Sequence, residues 1–259
     1  MRQVLKRTGL RAAVALILLQ GAWIGRVPDS VGSPQQKTGE ARAVEALSKL
    51  GVPLQRDLQG VVRWIEAADK EFSDEAMQHL PELPKLEWLE IGGGSVSASG
   101  LAALNNCPSL RRLYIHDIRL AGDELAWLAS LTKLEALALQ RTGIDGRVLK
   151  NIKAGSTLAV LNLSGNDIQN DDMEAIALLK GLEVLALADT KVTSAGIASL
   201  QGMQRLNELN LMNCGILDSD LETFLSMPNL RIVYAEGCNL GDWAIQQMKF
   251  RFPMLAIFR

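Results

Sequence analysis

The chain has 259 residues, with 48% hydrophobic and 5% aromatic residues and a formal net charge of −2. Five of its 27 basic residues (Arg2, Lys6, Arg7, Arg11 and Arg26) precede the first acidic residue, Asp29, so beyond them 22 basic residues face 29 acidic ones. An acidic body lacks the clustered Lys and Arg of a nucleic-acid footprint. Three cysteines are too few for a disulfide scaffold, and their spacing matches no paired-cysteine zinc site.

Residues 1–11 are basic, and residues 12–24, AAVALILLQGAWI, are almost wholly apolar. A basic stretch followed by a short apolar one reads as a secretory signal. As a helix, the apolar run would span only ~20 Å of a bilayer's ~30 Å hydrocarbon core. Residues 1–26 are therefore expected to be a signal peptide, or an N-terminal anchor if uncleaved. Residues 27–38, VPDSVGSPQQKT, have the polar, Pro- and Gly-containing composition of a flexible linker. Residues 39–61 are expected to form a helical cap. Thr38 would start its helix, Ala43, Val44, Leu47 and Leu50 give it an apolar side, and Gly51 and Pro53 end it.

From residue 62 to 259 one pattern recurs. Units open at Leu86, Leu110, Leu134, Leu158, Leu182, Leu206 and Leu230, each step being 24 residues with no gap. Equal steps of this kind mark a repeat architecture. The unit reads L-x-x-L-x-[LI]-x-x-[TNC]-x-[IVL], then a polar turn, then a short apolar stripe such as Ile197 and Leu200. In L-x-x-L-x-L the alternate side chains Leu185 and Leu187 point one way, giving a strand. Residues three apart after the turn give a helical stripe. Asp145, Asn170, Thr193 or Ser194, Asp218 and Asp242 precede the helical runs and are expected to cap them. A weaker unit opens at Val62, and Met254 and Ile257 keep the register at the other end. Each unit buries about six aliphatic side chains at ~1.5–3 kcal/mol apiece, most of it cancelled by chain entropy, so stability has to come from stacking.

LEVLALADTKVTSAGIASL at 182–200 and LAVLNLSGNDIQNDDMEAI at 158–176 resemble leucine-rich repeats of the exported bacterial form LxxLxLxxTxITDxGLxxL. The resemblance covers about three quarters of the chain. It implies an α/β right-handed solenoid shaped like a horseshoe, with a parallel sheet on the concave face and short helices on the convex face. It also implies that the ninth residue of each unit turns inward as a structural ladder. Thr142, Asn166, Thr190, Cys214 and Cys238 fill that slot, with Lys70, Gly94 and Ile118 departing from it. Short polar side chains there can bond the loop's free backbone groups. The cysteines are expected to be free thiols, because same-facing side chains on parallel strands rarely reach disulfide geometry.

The exposed strand positions fall two, four and six residues after each unit start. They gather Trp64, Glu66, Trp88, Glu90, Arg112, Tyr114 and His116 at one end, and Asn210, Met212, Tyr234 and Glu236 at the other, with a bland middle. Aromatics with Arg are what protein-binding hot spots favour, although strands also favour aromatics on their own account. Chemistry is not indicated. His116 adjoins Asp117 without a nucleophile, and there is no GxSxG. GGGS at 92–95 lacks the Lys and Ser/Thr of a phosphate loop and reads as a relaxed turn. His79 reads as solvated, and Asn170–Asp172 as capping rather than a cation site.

The expected function is therefore non-enzymatic recognition of a protein partner on the concave face, without cofactor or metal. Binding of cell-envelope polysaccharide and an architectural surface role are the alternatives. No nucleic acid is expected as a partner, and membrane contact only through an uncleaved N-terminal segment. The expected location is outside the cytoplasm, in the periplasm or at the cell surface.

Overall fold

In the computed structural model the described residues are 38–68, 72–120, 125–152 and 157–258. The expected signal or anchor, the linker up to residue 37 and Lys70 lie outside them. Ten strands form one open sheet in strict chain order. They are β1 (Leu54–Arg56), β2 (Val62–Ala68), β3 (Trp88–Gly92), β4 (Arg112–His116), β5 (Ala136–Gln140), β6 (Val160–Asn162), β7 (Val184–Ala186), β8 (Glu208–Asn210), β9 (Ile232–Tyr234) and β10 (Ala256–Phe258). From β2 onward every neighbour is parallel, and every register step is one repeat, so Trp64, Trp88, Arg112, Ala136, Val160, Val184, Glu208, Ile232 and Ala256 form one row.

The N-terminal cap differs from the expectation of a purely helical segment. Helix α1 (Gly39–Lys49) starts as the sequence suggests: the Thr38 hydroxyl accepts from the Ala41 N–H, and Ala43 and Leu47 are buried. Beyond it, β1 pairs antiparallel with β2 through a register shift at Gln55/Arg56. The connecting turn is tied by Asp57, which accepts from the N–H groups of Gln59 and Val61 and from Arg63. Arg63 also bonds Glu87 in the next unit. The array therefore begins with a three-residue antiparallel strand, and a short edge strand is a weaker template for association than β2 would be.

Opposite the sheet run α2 (Asp74–Met77), α3 (Ala98–Leu101), single 3₁₀ turns at Ala126–Ser130 and Gly146–Asn151, then α4 (Met173–Ala177), α5 (Ser194–Ile197), α6 (Leu221–Leu225) and α7 (Asp242–Arg251). One continuous core lies between strands and helices. It contains the first leucine of every regular unit (Leu86 through Leu230, all at most 5% exposed) together with helix residues such as Met77, Leu101, Ile176, Ile197 and Phe224. Each unit contacts mainly its neighbours, as a solenoid requires.

The ladder carries the turns. Asn166 is buried, and its Oδ1 accepts from the Thr142 N–H (2.9 Å), the Gly143 N–H (2.9 Å) and the Thr142 hydroxyl (3.2 Å). Its Nδ2 donates to the carbonyls of Leu139, Leu163 and Ser164. Thr190 donates to the Leu187 carbonyl (2.7 Å). Cys214 and Cys238 donate to the carbonyls of Leu187 and Leu211 at 3.1 and 3.0 Å, reaching back one unit as the Asn166 amide does. All three cysteines are free thiols.

Just before the ladder runs a column the sequence pattern did not announce. Gly93, Asp117, Arg141, Gly165, Asp189, Asn213 and Gly237 all have left-handed backbone, with φ between 50° and 76°. Asp and Asn tolerate that region better than most residues; Arg141 is the anomaly. Side chains run along the column, Arg141 gripping Asp117 at 2.6 and 2.7 Å and Asn213 donating to Asp189 at 2.7 Å. Where the preceding unit's side chain lies across the turn, the residue is glycine. A Cβ on Gly165 would sit 2.5 Å from Arg141 Cγ.

Of the five expected cap positions only Asp145 caps through its side chain, and the other four are corrected. Asn170 accepts from the Thr193 N–H and Asp218 from the Gly241 N–H, each bonding the following unit instead of its own helix. Asp74 does the same for Ser97. The helix starts are served by Asp172 and Asp220, which accept from the N–H groups of Gln169 and Leu217 at 2.8 Å. Asp145 does cap, accepting from the Arg147 N–H. Thr193 makes no capping bond through its side chain, and Asp242 is already the first residue of α7, behind Gly241.

Candidate recognition surface

The strand alternation that buries Leu89, Leu113 and Leu137 turns the intervening residues onto the concave face. At the N-terminal end the register brings Trp64, Trp88 and Arg112 side by side, with Glu66, Glu90 and Tyr114 in the next row. The Trp88 and Tyr114 ring centroids are 5.6 Å apart and tilted by 55°. The Arg112 guanidinium lies 5.6 Å from the Trp88 centroid, within cation–π range. All four of Trp64, Trp88, Arg112 and Tyr114 are half-buried, so each presents some surface. The strand β1 abuts Trp64, pairing it with Gln55, without burying the ring fully. The Trp88 Nε1–H is buried and has no hydrogen-bond partner among the described residues. Burial pushes the Tyr114 hydroxyl up to about 12, opposed by Arg112 and reinforced by Glu90.

His116 closes this cluster. Its Nδ1 lies 3.0 Å from Asp117 Oδ2, and its Nε2 lies 3.8 Å from Glu90 Oε1. The ring occupies the space a Cβ on Gly92 would need, 2.0 Å from Cε1. Gly94 is equally constrained, since its Cβ would meet the Phe72 carbonyl oxygen at 2.6 Å. The glycine run is thus a pair of close approaches flanking one left-handed turn, not a loosened loop. The Arg141 hydrogen bonds hold the Asp117 carboxyl down at about 2 against the opposing effect of burial, with His116 adding to the lowering. His79, expected to be solvated, is half-buried beside the 3₁₀ turn that follows α2.

At the C-terminal end Asn210 folds back, its Oδ1 accepting from the Met212 N–H at 3.1 Å. Tyr234 stacks on Phe258 with centroids 5.3 Å apart and an interplanar angle of 21°. Met212 is half-buried and Glu236 exposed. The two ends are separated by a floor of small, buried side chains, including Ala136, Val160, Val184 and Ala186, with Tyr114 packed against its near edge. Four residues of this region lie outside the two site groups drawn from the sequence. Phe258 stands four residues after Met254, so the register alone could have found it. Arg141 and Asp117 sit outside the strand alternation and were not weighed as a pair. Glu208 lies in the first row between Val184 and Ile232 and is only 6% exposed, which its charge gave no reason to expect.

Residues 156–216 match the Leucine rich repeat family. No curated protein matches the chain. Among solved structures, it is similar to an internalin of Listeria monocytogenes, with 18% identity and a TM-score of 0.49 over 70% of this chain and 56% of that one. It is also similar to a leucine-rich repeat protein of Leptospira interrogans, with 19% identity and a TM-score of 0.50 over 70% of this chain and 45% of that one. The chain spans about half the length of these solved chains. The matched repeats and the sheet in strict chain order give this chain the fold of a leucine-rich-repeat α/β solenoid, with its parallel sheet on the concave face. Such folds commonly serve as protein-interaction modules and are typically non-enzymatic scaffolds. No helix among the described residues is long and apolar enough to cross a membrane.

Proposed function

We propose that this chain recognises a protein partner through the N-terminal part of its concave face, and that it performs no catalysis. The observation that carries the reading is the contiguous set of Trp64, Trp88, Arg112 and Tyr114, in which aromatic rings and a guanidinium share one patch. Aromatic and Arg side chains are enriched among binding hot spots because they combine large apolar area with a polar handle. Glu66, Glu90 and His116 form the polar rim. Asn210, Met212, Tyr234 and Glu236 make a second contact zone across the small-residue floor. The ladder residues Thr142, Asn166, Thr190, Cys214 and Cys238 hold this face rigid.

The chain organisation that goes with this reading is an export signal or anchor at 1–26, a linker at 27–38, a cap at 39–61 and the repeat array at 62–259. The basic-then-apolar composition of residues 1–24 supports work outside the cytoplasm. Determining the mature N-terminus by mass spectrometry tests that part.

Affinity capture from an envelope extract, run in parallel with a glycan array, tests the recognition. Wild type and Trp88→Ala are compared, with circular dichroism confirming that both are folded. The expected result is a captured protein that Trp88→Ala retains at least tenfold less well. Glycan binding lost in Trp88→Ala, or a protein retained equally by both, overturns the reading.

A further inference from the structure

On β8, Glu208 faces the concave side and Leu209 the core. Glu208 is 6% exposed, between Val184 and Ile232 in its own row, with Asn210 and Tyr234 in the next. No hydrogen bond or ion pair reaches it among the described residues. Burial alone holds its carboxyl above the usual range, and Tyr234 is the titratable group that feels its charge. The other buried acid, Asp220, offers a contrast: it accepts from the Leu217 N–H at 2.8 Å and from the Ser194 hydroxyl at 2.5 Å. Asp220 is a structural carboxylate. Burial raises the cost of ionising Glu208 in the folded chain, and no hydrogen bond or ion pair among the described residues offsets that cost.

From Val160 to Glu236 the strand-face positions hold two charged residues, Glu208 and Glu236, both acidic. This half of the concave face therefore complements a cation. Its walls suit a long aliphatic stem: Val184 and Ile232 flank the carboxylate, and Ala186 leaves the floor low beside it.

We propose that Glu208 is the seat of a basic side chain, lysine or arginine, supplied by the protein partner. The stem lies along Val184 and Ile232, and the ammonium or guanidinium pairs with the carboxylate. Tyr234, stacked on Phe258, forms the wall on the C-terminal side. This rests on the concave-face reading but not on the Trp88 cluster, and the test below uses neither the partner nor that cluster.

The intact chain is labelled at the Glu carboxyl carbons, and the Glu208 signal is assigned by its loss in Glu208→Gln. Its titration is followed by NMR at constant ionic strength with the peptides acetyl-Gly-Lys-Gly-amide, acetyl-Gly-Arg-Gly-amide and acetyl-Gly-norleucine-Gly-amide. The cationic peptides are expected to lower the Glu208 midpoint by about one unit, as an adjacent opposite charge does, while norleucine leaves it in place. The arm with the larger shift names the preferred base. Equal shifts with norleucine, or none with either cation, overturn the proposal. A second measurement guards the premise. A group whose pKa is raised by folding is destabilising above its unfolded value, ~4.3. Glu208→Gln should therefore be more stable than wild type at neutral pH, with the gain fading as pH falls to ~4. A loss of stability at neutral pH would mean that the carboxylate has a structural partner, and the proposal would fail. Capture that is insensitive to Trp88→Ala, with the peptide shifts intact, would sink the N-terminal reading alone.

Discussion

Asn166 concentrates more of the turn's hydrogen bonding than any other ladder residue described above, so Asn166→Ala is the sharpest probe of the architecture. The substitution strands the buried backbone N–H of Thr142 and the partly buried one of Gly143, which both donate to Asn166 Oδ1 at 2.9 Å. It also removes the donor serving the carbonyls of Leu139 and Leu163. A stranded buried donor costs ~1–3 kcal/mol and a partly solvated one less, so with the lost amide donor the loss should be about 3 kcal/mol. Thr190→Val offers a scale, because it keeps the volume and deletes chiefly the 2.7 Å bond to the Leu187 carbonyl, worth about 1 kcal/mol. Both are read by urea unfolding followed by circular dichroism. Because an array is coupled only through neighbouring units, weakening this interior one should also separate the halves, lowering the apparent m-value or splitting the transition. A cost below about 1 kcal/mol for Asn166→Ala, or one no larger than that of Thr190→Val, would refute the reasoning that the ladder holds the turns.

Three further outcomes are expected. Gly165→Ala places a Cβ on a left-handed residue and against Arg141 Cγ, and should cost at least ~1–2 kcal/mol in the same assay; an unchanged midpoint would mean the turn relaxes freely. The Asp117 carboxyl is held at about 2, below the ordinary carboxylate value, by Arg141 and His116. Its contribution is therefore complete above ~4 and lost as pH falls towards 2, so the stability difference between wild type and Asp117→Asn should shrink over that interval, and a constant difference would contradict the pairing. The surface exposure of the pair keeps the effect small. Burial pushes the Cys107 thiol up to about 12 and raises those of Cys214 and Cys238. All three should react slowly with a thiol-specific disulfide reagent in the native chain and rapidly in urea, and fast native labelling of Cys107 would show that its burial is transient.

The repeat was legible because it rests on side-chain size alone. A leucine every 24 residues and alternation within L-x-x-L-x-L name the strands and their parallel register without reference to any neighbour. What stayed hidden depends on contacts between units. The strand β1 has no alternation of its own, and only its pairing with β2 marks it as a strand. The left-handed column was masked because Asp117, Arg141 and Asp189 are not glycines, and their conformation follows from the turn that the ladder imposes. Asn170 and Asp218 look like caps in one dimension, yet stacking brings the next unit's N–H group closer than their own helix. For the surface, the column positions correctly gathered Trp64, Trp88, Arg112 and Tyr114, because register is geometric. The isolation of Glu208 could not be read, because it is set by the bulk of Val184 and Ile232 on either side and by the absence of a counter-charge there.

Hydroxyl-radical footprinting of the complex formed with the captured protein tests the central claim most directly, because the chain carries its own reference aromatics. Trp64, Trp88 and Tyr114 report on the concave patch, while Trp243 and Phe250, 74% and 87% exposed on α7, report on the far end. Recognition on the concave face predicts at least tenfold slower oxidation of Trp64, Trp88 and Tyr114 on binding, with Trp243 and Phe250 unchanged. Protection confined to Trp243 and Phe250 would contradict it and move recognition to the C-terminal helix.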